Sequence, residues 1–459
     1  MTHVVVVGGG ITGAAAAVGV HTASPEATVT VIEAAPVTGG KLALAEIGGA
    51  VVDVGAEALL NLRPEAVALA QASGLGEDVV YPDSTAANLW NRGVLHPMPR
   101  TLMGVPGDLR ALSGVLSAKG LARAAMESHM APPVLAEGDD ISVGTLVEDR
   151  FGKEVVDRLV EPLLGGVYAG HARQLSLRAA VPQLAHAVDG SATLSDLASR
   201  ALSRPASSTP MFAGIRGGVG RLPEAALKAS GAEVSLSTSV NSLERTQTGW
   251  RVGLADEVID CDAVVLATPA RASAGLLAGI SSRAAHELDR IEYASMAVLS
   301  FAFAERDLPR LEGSGFLTPP VDGRHVKAAT FSANKWGWVA DLGDSLGVRH
   351  LRASIGRMRE DSVLERTDEE LAALALGDLA DAVGISVRPV AWHVQRWDKG
   401  LPQYVVGHLD RVASIRRAVA DLPGLAVCGA AYDGVGIAAC VASGQTAADK
   451  VLTDLARRD

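Results

Sequence analysis

The segment HVVVVGGGITGAAAA, residues 3–17, limits the possible folds of this chain more than any other stretch. Its four consecutive valines leave no polar face, which is typical of a strand buried on both faces of a parallel sheet. The alanine-rich residues that follow predict a helix. Gly8, Gly10 and Gly13 stand between the two with G-x-G-x-x-G spacing. This order of strand, glycine turn and helix predicts a Rossmann-like unit that binds a dinucleotide.

Each part of this unit has a physical role in dinucleotide binding. The first glycine permits a tight turn, the second lets a diphosphate approach the main chain, and the third allows close packing of helix on sheet. Ile11 and Thr12 stand at the start of the helix, where free N–H groups attract anions. The next strand, TVTVIE, ends in Glu33, about twenty residues further on, where a carboxylate accepts hydrogen bonds from ribose hydroxyls.

Composition and charge restrict the other possibilities. A chain of 459 residues has room for roughly three folding units at about 150 residues each. Its net charge of −11 argues against nucleic-acid binding, because phosphate backbones require clustered Lys and Arg. The three cysteines lack C-x-x-C spacing, and neither a signal peptide nor an apolar run of about 18 residues is visible. We therefore expect a cytoplasmic protein without a bound metal and with at most peripheral membrane contact.

A second glycine turn distinguishes between FAD and NAD. The residues AAPVTGGKLALAEIGGAVVDVGAE follow Glu33 and contain Gly40, Lys41, Gly55 and Ala56. They resemble the Gly-Gly-cation and D-x-G segments of the two-dinucleotide-binding flavoproteins, in which the Gly-Gly-cation stretch lies along the diphosphate of FAD. The resemblance implies that these four residues bind FAD. An ordinary hairpin with a solvent-facing lysine is the alternative.

Two distant segments return to the same cofactor in this interpretation. Residues 231–270 predict a strand to Val240, a meander and a buried strand, DAVVLATPA. Residues 422–455 predict a buried strand, the turn GAAYDGVG and a helix that begins near Ile437, whose N-terminus favours negative charge on a reduced flavin ring. By resemblance to the flavin amine oxidase superfamily, the cofactor contacts from these segments are Val240, Thr268, Gly429, Asp433, Gly436 and Ile437. Purely structural turns are the alternative for both segments.

Further segments together resemble a known family. They are EPLLGGVYAGHARQLSLRAAVPQL, GIRGGVGRLPEAA, FSANKW, LPQYVVGH and CGAAYDGVGIAACVASG. In this order they resemble the protoporphyrinogen/coproporphyrinogen oxidase family, and most of all its soluble Gram-positive coproporphyrinogen III branch, over residues 3 to about 452. The resemblance implies a six-electron oxidation of coproporphyrinogen III to coproporphyrin III in haem biosynthesis, with FAD as cofactor, O2 as acceptor and H2O2 as product. It also implies that the flavin carries the chemistry without an indispensable acid–base residue, and it allows transient contact with a ferrochelatase.

Candidate substrate contacts lie in the two inserts between the FAD-binding segments. Arg63 follows the flavin-side hairpin, where its guanidinium would reach a substrate carboxylate. Tyr168 and Phe331 are candidates for cavity walls that stack on a flat ring. Lys335 and Tyr404 match family positions that line the substrate cavity or the flavin edge. A surface role for Arg63 and core packing for the aromatic residues are the alternatives.

The predicted fold is α/β and resembles the flavin amine oxidases: a doubly wound, Rossmann-like parallel sheet that binds FAD, joined to a mixed α+β substrate domain and a helical lobe. We expect FAD-binding parts at residues 1–60, 213–279 and 396–459, a helical substrate insert at 61–212, and a substrate-domain sheet with helices at 280–395. Protoporphyrinogen IX is the alternative substrate. A flavin amine oxidase or a carotenoid desaturase is the next alternative, and a non-catalytic dinucleotide-binding protein is the last.

Overall fold

The computed structural model describes residues 2–185, 188–203 and 209–458. In these ranges the strands are β1 (His3–Val7), β2 (Thr28–Ile32), β3 (Leu44–Ile47), β4 (Ala50–Asp53), β5 (Leu59–Leu60), β6 (Val79–Val80), β7 (Ala87–Asn91), β8 (Val94–Pro97), β9 (Thr101–Leu102), β10 (Val105–Pro106), β11 (Phe212–Ile215), β12 (Glu233–Ser235), β13 (Ser242–Arg245), β14 (Trp250–Gly253), β15 (Val258–Cys261), β16 (Ala263–Leu266), β17 (Tyr293–Ala304), β18 (Gly315–Leu317), β19 (Val326–Thr330), β20 (Val348–Ile355), β21 (Ala391–Pro402) and β22 (Leu425–Val427). The helices are α1 (Ile11–Ala23), α2 (Glu65–Ala72), α3 (Ala118–Ala125), α4 (Val143–Phe151), α5 (Lys153–Val155), α6 (Glu161–Tyr168), α7 (Leu177–Ala180), α8 (Pro182–Ala185), α9 (Leu194–Ser203), α10 (Leu222–Ser230), α11 (Ala270–Leu277), α12 (Ser282–Asp289), α13 (Ser332–Lys335), α14 (Gly337–Leu346), α15 (Asp368–Val383), α16 (His408–Ala420) and α17 (Ile437–Ala456).

A five-stranded parallel sheet has the order β12-β2-β1-β16-β22, so the beginning, the middle and the end of the chain all contribute strands. Both of its faces are covered, as the run of valines in β1 predicts. Val4 and Val6 belong to an apolar cluster with residues of α1, α10 and α17, whereas Val5 and Val7 belong to one with residues of α11, α12 and α16. The predicted doubly wound α/β fold is therefore confirmed. The five-part division of the chain into domains stays a prediction.

Helices α1 and α17 approach closely because small residues lie between them. A Cβ at Gly19 would lie 3.0 Å from the Cβ of Ala448, and a Cβ at Gly444 would collide with the carbonyl oxygen of Thr12. Both helices begin directly after a glycine, Gly10 for α1 and Gly436 for α17. The close packing brings these two N-termini to the same edge of the sheet, where the parallel strands end.

A seven-stranded mixed sheet has the order β21-β17-β20-β19-β18-β7-β8. Strands β18 and β7 pair in parallel, and the other neighbours are antiparallel. Helix α15 begins with a capping box formed by Thr367 and Glu370 and packs its apolar face on this sheet. The long strands β17, β20 and β21 form the wall that faces the parallel sheet, and this wall lines a large cavity between the two sheets.

The helical lobe contains α3 to α9 around its own apolar core. Helix α4 is followed by Gly152, which has a φ of 89°. Helix α6 runs through Gly165 and Gly166 and ends at Tyr168, after which Ala169 adopts the left-handed conformation at φ 48°. Within the described ranges, no helix is long and apolar enough to cross a membrane.

Candidate cofactor and substrate site

A cavity of about 890 Å³ separates the carboxyl ends of the parallel strands from the wall of β17, β20 and β21. Most of the cofactor residues predicted from the sequence line it, although they come from distant parts of the chain. These residues are Gly8, Gly10, Ile11, Thr12, Glu33, Gly40, Lys41, Gly55, Ala56, Val240, Thr268, Gly429 and Ile437. Gly13, Asp433 and Gly436 are not among the lining residues. The fold therefore brings thirteen of the predicted cofactor residues together in the lining of one cavity.

The glycine turn after β1 forms a cradle at the N-terminus of α1. Gly8 has a φ of 107°, and a Cβ there would lie 2.8 Å from the carbonyl oxygen of Ala267. A Cβ at Gly13 would collide with the carbonyl oxygen of Gly8, so this position is closed to larger residues. A Cβ at Gly10 would meet only the carbonyl oxygen of Gly39, at 4.0 Å. Because no side chain caps α1, its first N–H groups face the open space beside Gly10, which suits a diphosphate.

Glu33 stands directly after β2 and is held by the main chain around it. Its Oε2 accepts a hydrogen bond from the N–H of Gly9 at 2.7 Å, and its Oε1 accepts one from Ala35 at 2.8 Å. Val240 lies nearby in the turn before β13; the strand predicted to reach it ends at Ser235, so that expected boundary is wrong. The carboxylate of Glu33 and the main chain around Val240 line this end of the cavity, which suits the ribose and adenine of a dinucleotide.

A second turn, at Gly39 to Lys41, lies against the first. The N–H of Gly39 donates to the carbonyl oxygen of Gly9 at 2.9 Å, and Gly40 adopts a φ of 59°. Burial lowers the pKa of the Lys41 ammonium, which lines the cavity. A cation that is partly removed from water gains from an anionic partner, so the position of Lys41 also suits the diphosphate.

The hairpin of β3 and β4 leads to Gly55 and Ala56 at the cavity. Asp53 at its end is buried and accepts hydrogen bonds from Val219 at 3.0 Å and Gly220 at 2.9 Å. Burial raises the pKa of Asp53 to about 7, against the effect of these two N–H donors. Asp53 thus ties the hairpin to the segment GIRGGVGRLPEAA, one of those that carry the family resemblance.

The last part of the chain closes the site with the turn between β22 and α17. Gly429 and Gly434 have φ values of 125° and 138°, which favour glycine. The hydroxyl of Tyr404 donates to the carbonyl oxygen of Ala430 at 2.6 Å and accepts from the N–H of Gly434 at 2.7 Å, and so holds the turn in place. Asp433 points elsewhere: it is half exposed and pairs with Arg416.

None of the five residues predicted to contact the substrate is in the cavity lining. Arg63 is 41% exposed and pairs with Glu65 at 2.6 Å. Phe331 is buried against Phe316 in the core of the mixed sheet. The remaining three lie one layer behind the site: they are Tyr168, Tyr404 and Lys335. Their roles in substrate binding stay predictions.

The structure adds lining residues that the sequence patterns do not predict. They come from the mixed sheet and from α6, and include Gly166, Val167, Met296, Val298, Arg352 and Trp397. Arg352 is the charged one: its Nη2 donates to the carbonyl oxygen of Gly55 at 2.7 Å. No local pattern marks these residues, because they reach the cavity through strand pairing between distant segments.

Comparison with known proteins defines the class to which this site belongs. Residues 11–452 match the sequence profile of the flavin containing amine oxidoreductases. The chain therefore belongs to this family, and its cofactor is FAD. The glycine cradle, the half-buried ammonium of Lys41 and the carboxylate of Glu33 fit the diphosphate and ribose of that cofactor.

Individual relatives identify the branch. The chain is 37% identical to the coproporphyrinogen III oxidase of Mycobacterium tuberculosis, over 98% of this chain and 97% of that protein. It is 31% identical to the coproporphyrinogen III oxidase of Bacillus subtilis, over 99% of this chain and 98% of that protein. A crystal structure from Exiguobacterium sp. 255-15, assigned as a protoporphyrinogen oxidase, has 30% identity and a TM-score of 0.88 over 99% of each chain. Within the flavin oxidoreductases, the chain belongs to the protoporphyrinogen/coproporphyrinogen oxidase family.

Proposed function

We propose that this protein oxidises coproporphyrinogen III to coproporphyrin III in haem biosynthesis, with FAD as the electron acceptor and O2 as the final oxidant. The observation that supports this substrate most directly is the 37% identity to a coproporphyrinogen III oxidase over 98% of the chain, because that span includes both substrate-side inserts. Six hydrogen atoms leave the porphyrinogen. The balanced reaction would convert one porphyrinogen and three molecules of O2 into one porphyrin and three molecules of H2O2, with bound FAD supplying the two-electron chemistry.

The chain's own residues bind and orient in this proposal. The cradle at Gly10 and the ammonium of Lys41 hold the diphosphate, and Glu33 holds the ribose. Gly429, where a Cβ would meet only the hydroxyl of Thr12 at 3.9 Å, allows a flat ring to approach the main chain. When bound, FAD supplies a two-electron acceptor for hydride. We assign no acid–base residue, because the surrounding protein needs to place the tetrapyrrole against the flavin and to exclude water.

In this proposal, three of the candidate substrate residues act on the cavity indirectly, through the residues that they contact. Tyr404 supports the turn at the cavity through two hydrogen bonds, and Tyr168 packs beside it with ring centroids 5.7 Å apart. Lys335 contacts Glu57, which in turn contacts Arg352 at the cavity. Arg63 and Phe331 stay candidates on the strength of the family resemblance. We further propose a cytoplasmic location and transient contact with a ferrochelatase that takes up the porphyrin product.

Protoporphyrinogen IX is the second candidate substrate. The Exiguobacterium protein with a TM-score of 0.88 is assigned as a protoporphyrinogen oxidase, which favours this alternative. The two porphyrinogens differ in charge, since one carries four carboxylates and the other two. Discrimination between them therefore depends on cations that contact the substrate.

The decisive experiment follows porphyrin fluorescence under air with coproporphyrinogen III and protoporphyrinogen IX in separate reactions. Reactions without enzyme correct for autoxidation, and a peroxide assay gives the ratio of H2O2 to porphyrin. A kcat/KM at least tenfold higher for coproporphyrinogen III, with three H2O2 per porphyrin, supports the proposal. The reverse preference assigns the protein to protoporphyrinogen IX, and turnover of neither substrate directs the search to amines and carotenoids.

A further inference from the structure

Arg352 is the one charged lining residue for which the sequence patterns predict no role. Among the described residues that line the cavity, the charged ones are Glu33, Lys41 and Arg352. Glu33 stands at the ribose end, and Lys41 stands at the diphosphate turn. Arg352 instead comes from β20 in the mixed sheet and meets the cavity where Gly55 and Ala56 line it. Arg352 therefore places a cation where the wall of β17, β20 and β21 meets the segment that follows β4.

The guanidinium of Arg352 is fixed by the main chain after β4. Its Nη2 donates to the carbonyl oxygen of Gly55 at 2.7 Å, and its Nη1 lies 3.2 Å from the Oε2 of Glu57. Nη1 also lies 3.4 Å from the carbonyl oxygen of Asp53. The side chain is only 15% exposed. Because a guanidinium does not lose its proton in proteins, this is a permanent positive charge in a fixed position.

The charges around Arg352 do not cancel it. Glu57 accepts from both Arg352 and Lys335, whose Nζ lies 2.8 Å from its Oε1. Burial raises the pKa of Glu57, but the two cations outweigh that effect and hold the pKa at about 2, so Glu57 is ionised. Two cations thus face one carboxylate. Asp53, the next carboxyl group, has its pKa raised to about 7 by burial, so it adds little negative charge below neutral pH.

The proposed function puts the reacting ring of FAD beside this cation, and the inference rests on that arrangement. The proposed function assigns the diphosphate and the ribose to Gly10, Lys41 and Glu33. The rest of the cavity runs from there toward Gly55 and the mixed sheet, and the flavin would extend into this part. We infer that Arg352 holds a positive charge next to the flavin ring and raises the reduction potential of the bound FAD. Two-electron reduction adds negative charge to the ring, and a nearby cation stabilises that charge strongly where water is scarce.

The test measures the equilibrium for two-electron reduction of the bound FAD against a reference dye, without oxygen and without porphyrinogen. The variants are R352Q, which removes the cation, R352K, which keeps it, and E57Q, which removes the negative partner. R349Q is the matched control: Arg349 lies on the same strand, pairs with Glu305 and Asp344, and is not in the cavity lining.

We expect R352Q and E57Q to shift the equilibrium constant for reduction of the bound FAD in opposite directions. R352Q lowers the equilibrium constant for reduction at least tenfold, equivalent to about 30 mV for a two-electron couple. E57Q raises it, R352K stays within about threefold of the wild type, and R349Q does not change it. The inference is overturned if the equilibrium constant for reduction in R352Q lies within twofold of the wild-type value. It is also overturned if R352Q and E57Q shift this constant in the same direction. If R352Q does not retain FAD, the E57Q result decides, and an unchanged or lowered constant overturns the inference.

The reduction potential of the bound FAD tests this inference, whereas the turnover of porphyrinogen tests the proposed function, so the two can fail independently. A wild-type protein whose variants shift as expected, but which oxidises neither porphyrinogen, refutes the proposed function alone. Normal porphyrinogen turnover with an unshifted R352Q potential refutes the role of Arg352 alone. A raised KM for the porphyrinogen in R352Q without a change of potential also overturns the inference, because it assigns Arg352 to substrate binding.

Discussion

The carboxylate of Glu33 accepts a hydrogen bond of 2.7 Å from the main-chain N–H of Gly9 and so joins the end of β2 to the glycine turn after β1. We predict that Glu33→Ala weakens FAD binding about ten- to a hundredfold, because the variant lacks the carboxylate that we propose as the partner of the ribose hydroxyls, a loss of about 1–3 kcal/mol. Titration of the apoprotein with FAD, followed by flavin fluorescence, measures the change. Glu26→Ala, an exposed carboxylate before the same strand, is the control, and an equal dissociation constant in both variants contradicts the role of Glu33.

Gly10 and Gly13 lie close together in the chain but have different space around them. We therefore predict that a substitution at Gly10 impairs FAD binding, whereas one at Gly13 impairs stability. Gly10→Val is expected to fold with a Tm of the apoprotein within about 2 °C of the wild type but to lose FAD, because its Cβ enters open space that the diphosphate requires. Gly13→Ala is expected to destabilise the fold, because its Cβ collides with Gly8. Thermal melts of both apoproteins and the flavin absorbance after purification test the pair. Full flavin content in Gly10→Val refutes the assigned diphosphate site.

Tyr404 holds the turn between Ala430 and Gly434 through its hydroxyl. We predict that Tyr404→Phe lowers the free energy of unfolding by about 1–3 kcal/mol, since the partly buried carbonyl of Ala430 and N–H of Gly434 each lose a hydrogen bond. The same change is expected to weaken FAD binding several-fold, because this turn lines the cavity. Chemical denaturation and FAD titration measure the two effects. Tyr81→Phe, at an exposed tyrosine, controls for loss of a hydroxyl; a Tyr404→Phe variant as stable as Tyr81→Phe would show that the turn holds without it.

Lys327 is buried behind the cavity wall, with its Nζ 3.1 Å from the carbonyl oxygen of Gly356 and 3.6 Å from the sulfur of Met296. Burial, and then the neighbouring Arg357, lower its pKa from 10.5 to about 7. Between pH 7 and 10.5 the unfolded chain therefore binds more protons than the folded chain, so this residue makes the free energy of unfolding rise with pH across that window.

Lys327→Met removes this dependence. We predict that the variant is more stable than the wild type below pH 7, by an amount on the order of 1–4 kcal/mol, and that the difference shrinks as the pH rises toward 10. Urea denaturation of both proteins at several pH values gives the difference directly. Lys119→Met, at an exposed lysine on α3, is expected to show no such trend. A Lys327→Met variant that is less stable at every pH, by a constant amount, contradicts a lowered pKa of Lys327 as the cause.

Much of the FAD-binding half could be predicted from the sequence because its function depends on local backbone geometry. The glycine spacing, the valine strand and the acid after β2 each follow from residues adjacent in the chain, and α1 and α17 begin at the residues the pattern predicts, Ile11 and Ile437. The glycine pattern of the last turn does not decide where Asp433 points, since a turn can direct a side chain to either side; in the folded chain Asp433 pairs with Arg416 and is not in the cavity lining.

The substrate side was decided by tertiary structure. Arg352 carries no local signal, and it reaches Gly55 only because β20 pairs between β17 and β19 and the mixed sheet packs on the hairpin of β3 and β4. Phe331 fits a ring-stacking wall by residue type alone, yet the same packing buries it in the core. The sequence by itself determined the fold class and the cofactor, because short-range glycine and strand patterns encode them. Only the tertiary structure decided which side chains of the mixed sheet line the cavity, because strands from distant segments must pair before their two faces become different.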